Sequence, residues 1–178
     1  MAGNVTERRR NLVDRRSLAM KTRSPTICKG ASRMRAPPGT RADYVHFRLH
    51  TTRWNDNDVY GHLNNVVHYL LFDSTVNTWL ISNGLLDTTN SPSIGLVAET
   101  GCRYHGEMSY PQDVTAGMRV ARLGTSSVRY EIGLFPGDAE KAAAEGFFVH
   151  VYVDAQSRRP CPIPDDTRAA LKMLLRDA

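Results

Sequence analysis

The residues best equipped for chemistry sit in one short run, Arg53-Trp54-Asn55-Asp56-Asn57-Asp58-Val59-Tyr60-Gly61-His62-Leu63-Asn64-Asn65, directly before an apolar segment. Asp56, Asp58 and Gly61 match the early positions of a calcium-binding loop, but Val67 stands where the closing bidentate carboxylate is required, so the calcium reading fails. Zinc held by Asp58 and His62 lacks a third ligand at any nearby spacing. A helix cap is better supported: Asn64 or Asn65 accepts from the first free amides of the following helix, and Asp58 favours its positive end. Capping does not exclude catalysis. Bare amides at a helix start can hold a developing oxyanion, and a carboxylate beside them can attack a carbonyl or activate water. Gly61 lets backbone approach a ligand where a Cβ would obstruct it. For His62 a hydrogen-bonded structural role stands beside a role in the pocket.

The elements that must position this loop follow from periodicity. Before it, Val45, Phe47, Leu49 and Thr51 alternate with Tyr44, His46, Arg48 and His50, the pattern of a half-buried strand. After it, Val66 to Ile81 has helical length and closes at Asn83-Gly84. Apolar residues fall on nearly every side of that segment, which predicts a helix enclosed by the fold. Four strand-like runs come next, Ile94 to His105, Val114 to Leu123, Val128 to Phe135 and Phe147 to Asp154, separated by short turn signals that imply antiparallel hairpins. Pro164-Asp165-Asp166 opens a terminal helix with Asp165 as its expected cap. One buried helix against one antiparallel sheet requires the sheet to curl around it, the α+β arrangement called the hot-dog fold.

Composition sets the limits. The chain has 178 residues, 41% of them hydrophobic, enough for one core. Its net charge of +5 is unevenly spread: residues 1–43 hold 11 Lys/Arg against three acids, whereas residues 44–178 carry 12 against 15. Residues 1–43 therefore read as a disordered basic leader, with Arg8-Arg9-Arg10 and few large apolar side chains, and residues 44–178 as the folded domain. The leader lacks the interleaved aromatics of a nucleic-acid arm, so nucleic acid is not the expected partner. No apolar run approaches the roughly 18 residues a membrane span needs, and no secretory core opens the chain. The expectation is a cytoplasmic protein, or an organellar one if the leader is a presequence. Cys28, Cys102 and Cys161 are scattered and read as reduced thiols.

The motif resembles the signature of the 4-hydroxybenzoyl-CoA thioesterase-like branch of the hot-dog superfamily, in which an Arg, a spaced acidic pair, Gly-His, a hydrophobic residue and Asn-Asn lead into a Tyr-containing helix. Here those are Arg53, Asp56, Asp58, Gly61-His62-Leu63-Asn64-Asn65 and Tyr69. Arg158-Arg159-Pro160 and Ile163-Pro164, after the last strand, are similar to the family's closing turn. The resemblance covers roughly residues 44–176.

It implies hydrolysis of an acyl-CoA thioester, with Asp58 as nucleophile or general base, amides from about Gly61 to Asn65 holding the oxyanion, and His62 and Asn65 shaping the pocket. Tyr60, Asn64 and Tyr69 are expected at the substrate, and Arg103, Arg158 and Arg159 at the phosphates of coenzyme A, which Arg suits. No metal or redox cofactor is implied, coenzyme A arriving as part of the substrate. The family assembles as homodimers or homotetramers. Some members carry a His where this chain has Asn65, and the family's helical Glu and Arg are here Asp73 and Val76. Asp58 and His62 lie four apart without the intervening Asn-Pro of hot-dog hydratases. A module that binds acyl-CoA or an acyl carrier without turnover remains the alternative.

Overall fold

The computed structural model describes residues 36–87 and 89–176. The leader reading for residues 1–35, Cys28 included, lies outside the described residues. The remaining elements run β1 (His46–His50), α1 (Asn65–Ser82), β2 (Ser93–Tyr104), β3 (Val114–Leu123), β4 (Ser127–Pro136), β5 (Ala144–Asp154) and α2 (Asp165–Lys172). All five strands join one antiparallel sheet in the order β1-β3-β4-β5-β2, with α1 lying against β3, β4 and β5. This is the hot-dog arrangement expected from the element order, with the sheet curled but not closed, so β1 and β2 are both edges.

Helix and sheet meet where the sequence supplies matched large and small residues. Phe72 of α1, fully buried, occupies the space where a Cβ on Gly146 of β5 would sit, and its ring meets Phe148 edge-on at 6.4 Å. Val128, Tyr130, Ile132 and Leu134 of β4 all face this core, as their alternation indicates. Each such large side chain contributes on the order of 1.5–3 kcal/mol by leaving water.

Other faces differ from expectation. On β5 the core face is Ala144, Gly146, Phe148, His150 and Tyr152, while Val149 and Val151 lie on the outer face. On β1 and the residue before it the apolar set is the exposed one: Val45, Phe47 and Leu49 are 40–62% exposed, and His46, Arg48 and His50 turn toward the helix. His50 Nε2 lies 2.9 Å from Thr75 Oγ1, and burial, helped by the Arg48 charge, pushes its pKa down to about 4. Nor is α1 enclosed in the single chain, since Val66, Leu70, Asp73 and Ile81 form an exposed stripe opposite the sheet.

The boundary drawn after Asp43 falls late. Thr40 bridges to Lys141, Arg41–Asp43 form a 3₁₀ turn, and the Arg41 guanidinium bonds the carbonyls of Gly137 and Ala139 while lying 5.0 Å from the centre of the Phe135 ring. Glu145 fastens the same segment, accepting from Gly39 N, Tyr44 Oη and, on its other oxygen, His105 Nε2. These residues are held by the turn that follows β4 and by the Phe135 and Glu145 side chains rather than by their own apolar pattern. At α2 the cap is Pro164, without a side-chain bond, and Asp165 is the first helical residue. Among the described residues no helix is long and apolar enough to cross a membrane.

Candidate active site

The run from Arg53 to Asn65 folds into two successive turns. Asp56 is 4% exposed and closes the first, accepting from Arg53 N at 2.7 Å and from the Arg53 guanidinium at 2.9 Å. Burial alone would push the Asp56 carboxyl up, but the Arg53 hydrogen bonds outweigh it and hold the group below its ordinary value. Its carbonyl then accepts from Asn64 N at 2.8 Å, fixing the start of α1, where the Asn64 side chain caps Val66 N at 3.1 Å. The capping expectation therefore settles on Asn64 rather than Asn65.

Asp58 closes the second turn. Its Oδ1 accepts from Tyr60 N at 2.8 Å and His62 N at 3.2 Å, and its own N–H donates to His62 O at 2.8 Å. Gly61 supports this loop with a φ of +85°, which side-chain-bearing residues seldom adopt. Oδ2 of Asp58 takes no hydrogen bond from the described residues. One oxygen is thus fixed and the other left to face a ligand.

The amides expected to hold an oxyanion are mostly occupied. Gly61 N donates to Asp58 O, His62 N to Asp58 Oδ1, Leu63 N to Met108 O and Asn64 N to Asp56 O. Of the five from Gly61 to Asn65, only the Asn65 N–H has no acceptor among the described residues.

Around Asp58 lies a pocket of about 320 Å³ whose wall also includes His62, Leu63, Asn65, His68, Tyr104, Glu107 and Met108. Leu63 N to Met108 O at 2.6 Å and Tyr110 N to Asn57 Oδ1 at 3.0 Å lock the motif loop onto the segment that follows β2. His62 Nε2 lies 3.2 Å from Glu107 Oε2 at the rim. His68, 4% exposed, meets the Tyr104 ring edge-on at 5.1 Å.

Asp58, His62 and Asn65 therefore come together as the sequence suggested, while the other expected positions do not join them. Tyr60 points to solvent at 81% exposure, Asn64 spends its side chain on the cap, and Tyr69 packs edge-on against Phe72 at 6.0 Å. Arg103 lines a separate cavity on the outer sheet face, with Arg119, Arg129 and Glu131. Arg158, at a φ of +58°, and Arg159 follow the far end of β5, where Asp154 pairs with Ser93. At about 3.3 Å per residue the length of β2 separates them from Tyr104 by roughly 35 Å. His68, Tyr104, Glu107 and Met108 were missed. A second histidine in the first helical turn was the one local signal for them; the rest arrive through sheet topology.

The sequence profile of the Thioesterase-like superfamily matches residues 52–171. Among solved structures, the PA5185 protein of Pseudomonas aeruginosa PAO1 is 48% identical, superposing with a TM-score of 0.77 over 80% of this chain and 99% of that one. PA2801 of Pseudomonas aeruginosa, a thioesterase by inference, is 28% identical with a TM-score of 0.67 over 72% of this chain and 98% of that one. Slr0204, a 1,4-dihydroxy-2-naphthoyl-CoA thioesterase from Synechocystis, shares the fold at 12% identity and a TM-score of 0.65, over 71% of this chain and 94% of that one. No curated protein matches the chain.

Proposed function

The chain belongs to the thioesterase-like superfamily, and on that premise we propose that it hydrolyses an acyl-CoA thioester to the free acid and coenzyme A, with Asp58 as nucleophile or general base. The observation that carries this reading is the division of labour at Asp58. Two backbone amides orient its Oδ1 while Oδ2 is left without a partner among the described residues, on a pocket that Asn65, with its free N–H, also lines. A thioester carbonyl whose oxygen takes the Asn65 N–H presents its carbon to that pocket. One such donor, aimed at the developing oxyanion, supplies roughly 3 kcal/mol of barrier lowering. The name of Slr0204 supports coenzyme A thioesters as the substrate class.

A homodimer fits this reading. The β2 edge carries exposed Leu96 and Val97, and a two-fold pairing of that edge extends the sheet across two chains. Such a pairing is antiparallel. The partner's Ser93 end, with the loop bearing its Arg158 and Arg159, then comes beside this chain's Tyr104 end and its pocket. Coenzyme A phosphates would be met by arginines from the second copy.

The test is thiol release from a panel of short, long and aromatic acyl-CoAs. Asp58→Asn should lower kcat by on the order of 10²-fold or more with an unchanged circular dichroism spectrum. A rapid-quench single turnover then separates the two roles, since a nucleophilic Asp58 releases thiol ahead of the acid and holds the acyl group as an anhydride that hydroxylamine traps, whereas a general base releases thiol and acid together. A wild-type protein that binds CoA tightly and releases no thiol from any acyl-CoA overturns the hydrolase reading in favour of a binding module.

A further inference from the structure

His68 is placed unlike the other histidines. It sits one turn into α1, buried, and its Nδ1 lies 3.0 Å from the carbonyl oxygen of Asn64. A carbonyl can only accept, so Nδ1 carries the hydrogen and the neutral ring must keep Nε2 bare. Nε2 takes no hydrogen bond from the described residues, yet it is not sealed in the core as His150 Nδ1 is, because His68 forms part of the wall of the Asp58 pocket. The edge-on contact with Tyr104 at 5.1 Å limits rotation of the ring, and the Asn64 carbonyl belongs to the cap residue that starts the helix. The cap thus fixes the tautomer of a side chain one turn later. What results is an oriented lone pair in the same pocket as the free Asp58 oxygen.

We propose that His68, through Nε2, is the base that takes the proton of the attacking water; this rests on the thioesterase reading. In that step a water O–H bond breaks, its oxygen bonds to the acyl carbon, and the proton passes to Nε2. The electron pair of the breaking C–S bond goes to sulfur, or, where Asp58 has already displaced the thiolate, the pair of the breaking C–O bond returns to the Asp58 carboxylate. The proton on Nε2 is finally released to the thiolate or to solvent, so that thioester and water give acid and thiol. Glu107 after β2 lines the same pocket as the transient imidazolium, as does Asp58 on the motif loop, whose carboxylate is charged only while unacylated, and His62 lies at the rim beside Glu107. Burial holds the His68 pKa below its ordinary 6.5, with the Asn64 carbonyl opposing, which keeps Nε2 unprotonated at neutral pH.

Two measurements decide this. The first is the pH profile of kcat for the wild type and for His68→Gln, each checked for folding. The wild type should show an acid limb below pH 6.5, and the variant should lose that limb together with 10²-fold or more in kcat, with KM changing far less. A variant that keeps kcat, or keeps the limb, overturns the proposal. The second is long-range ¹H–¹⁵N correlation on the wild type, which needs neither turnover nor a folded variant. It should report a neutral His68 protonated at Nδ1, with Nε2 shifting when a non-hydrolysable thioether analogue of acyl-CoA is added; a proton on Nε2 in the neutral ring overturns the proposal. Thiol release by the wild type alongside an unaffected His68→Gln sinks the role of His68 and leaves the thioesterase reading standing. Absence of thiol release from every acyl-CoA sinks both.

Discussion

Two aspartates two positions apart do different work because one is buried and bonded while the other is half open. Asp56 satisfies both oxygens on Arg53, whereas Asp58, which lines the pocket, satisfies one and leaves the other without a partner among the described residues. Asp56→Asn should therefore cost about 1–2 kcal/mol of stability at pH 7, the size of a lost charge-assisted hydrogen bond, while Asp58→Asn should cost less stability and far more activity. The sign of the pH dependence follows from the lowered pKa of Asp56. Its contribution is fully present above the ordinary value of 3.8 and is lost as pH falls through the lower folded value, so wild type and Asp56→Asn should converge in acid. Urea midpoints for both proteins at pH 7 and pH 3 check this; a gap that stays constant would mean the cost lies in loop geometry rather than in the charge. At this scale the sequence was legible where the chemistry is contiguous. Asp58, His62 and Asn65 lie within eight residues and end in one pocket. His68 was hidden because a histidine among Val66, Val67 and Tyr69 reads as core, and Glu107 and Tyr104 because no local spacing announces which strand end will fold against a loop.

Among the elements, the contact between α1 and β5 positions everything else, since α1 carries Asn65 and His68 at one end and is held to the sheet through Phe72. Gly146 provides the space for that ring: an added Cβ would meet Phe72 Cζ at 2.5 Å and lie closer still to Cε2. Gly146→Ala should destabilise the fold by about 1–3 kcal/mol through overpacking. Adding Phe72→Leu should recover part of that loss, although the same change alone in the wild type is destabilising. A double-mutant cycle by urea denaturation reads the coupling; strictly additive effects would mean the strand shifts away and the helix is held elsewhere. Strand positions were read well from alternation and turn residues, β3 to the residue and the others to within one to three at each end. Which face turns inward was not. On β1 the helix side carries His46, Arg48 and His50, so the hydrophobic alternation marks the outer face. Alternation gives the period of a strand, and only its neighbours in the sheet decide the direction. The open stripe on α1 was misread for a related reason: an all-round apolar pattern says that something covers the helix, not that the same chain does.

At the scale of the whole molecule, the homodimer proposed above would cover the β2 edge with a second copy of 19.9 kDa. The consequence for activity comes from the length of β2. Arg158 and Arg159 lie too far along the sheet to serve the pocket of their own chain, but antiparallel pairing of two β2 edges brings them to the pocket of the other. Arg158→Ala combined with Arg159→Ala should then raise KM for acyl-CoA about 10-fold or more with little change in kcat, because charge contacts to phosphates bind ground and transition states alike. Below saturation this double variant keeps about a tenth of the wild-type activity or less, while Asp58→Asn is nearly inactive at any substrate concentration. Refolding the two together produces a mixed dimer in which one pocket keeps its own Asp58 and receives intact arginines from the Asp58→Asn chain. Activity at low acyl-CoA should return on mixing, toward a quarter of the wild-type level, since half of a random assembly is mixed and each mixed dimer holds one complete pocket. If mixing restores nothing, the arginines serve their own chain or no phosphate at all, and the antiparallel dimer loses its functional support.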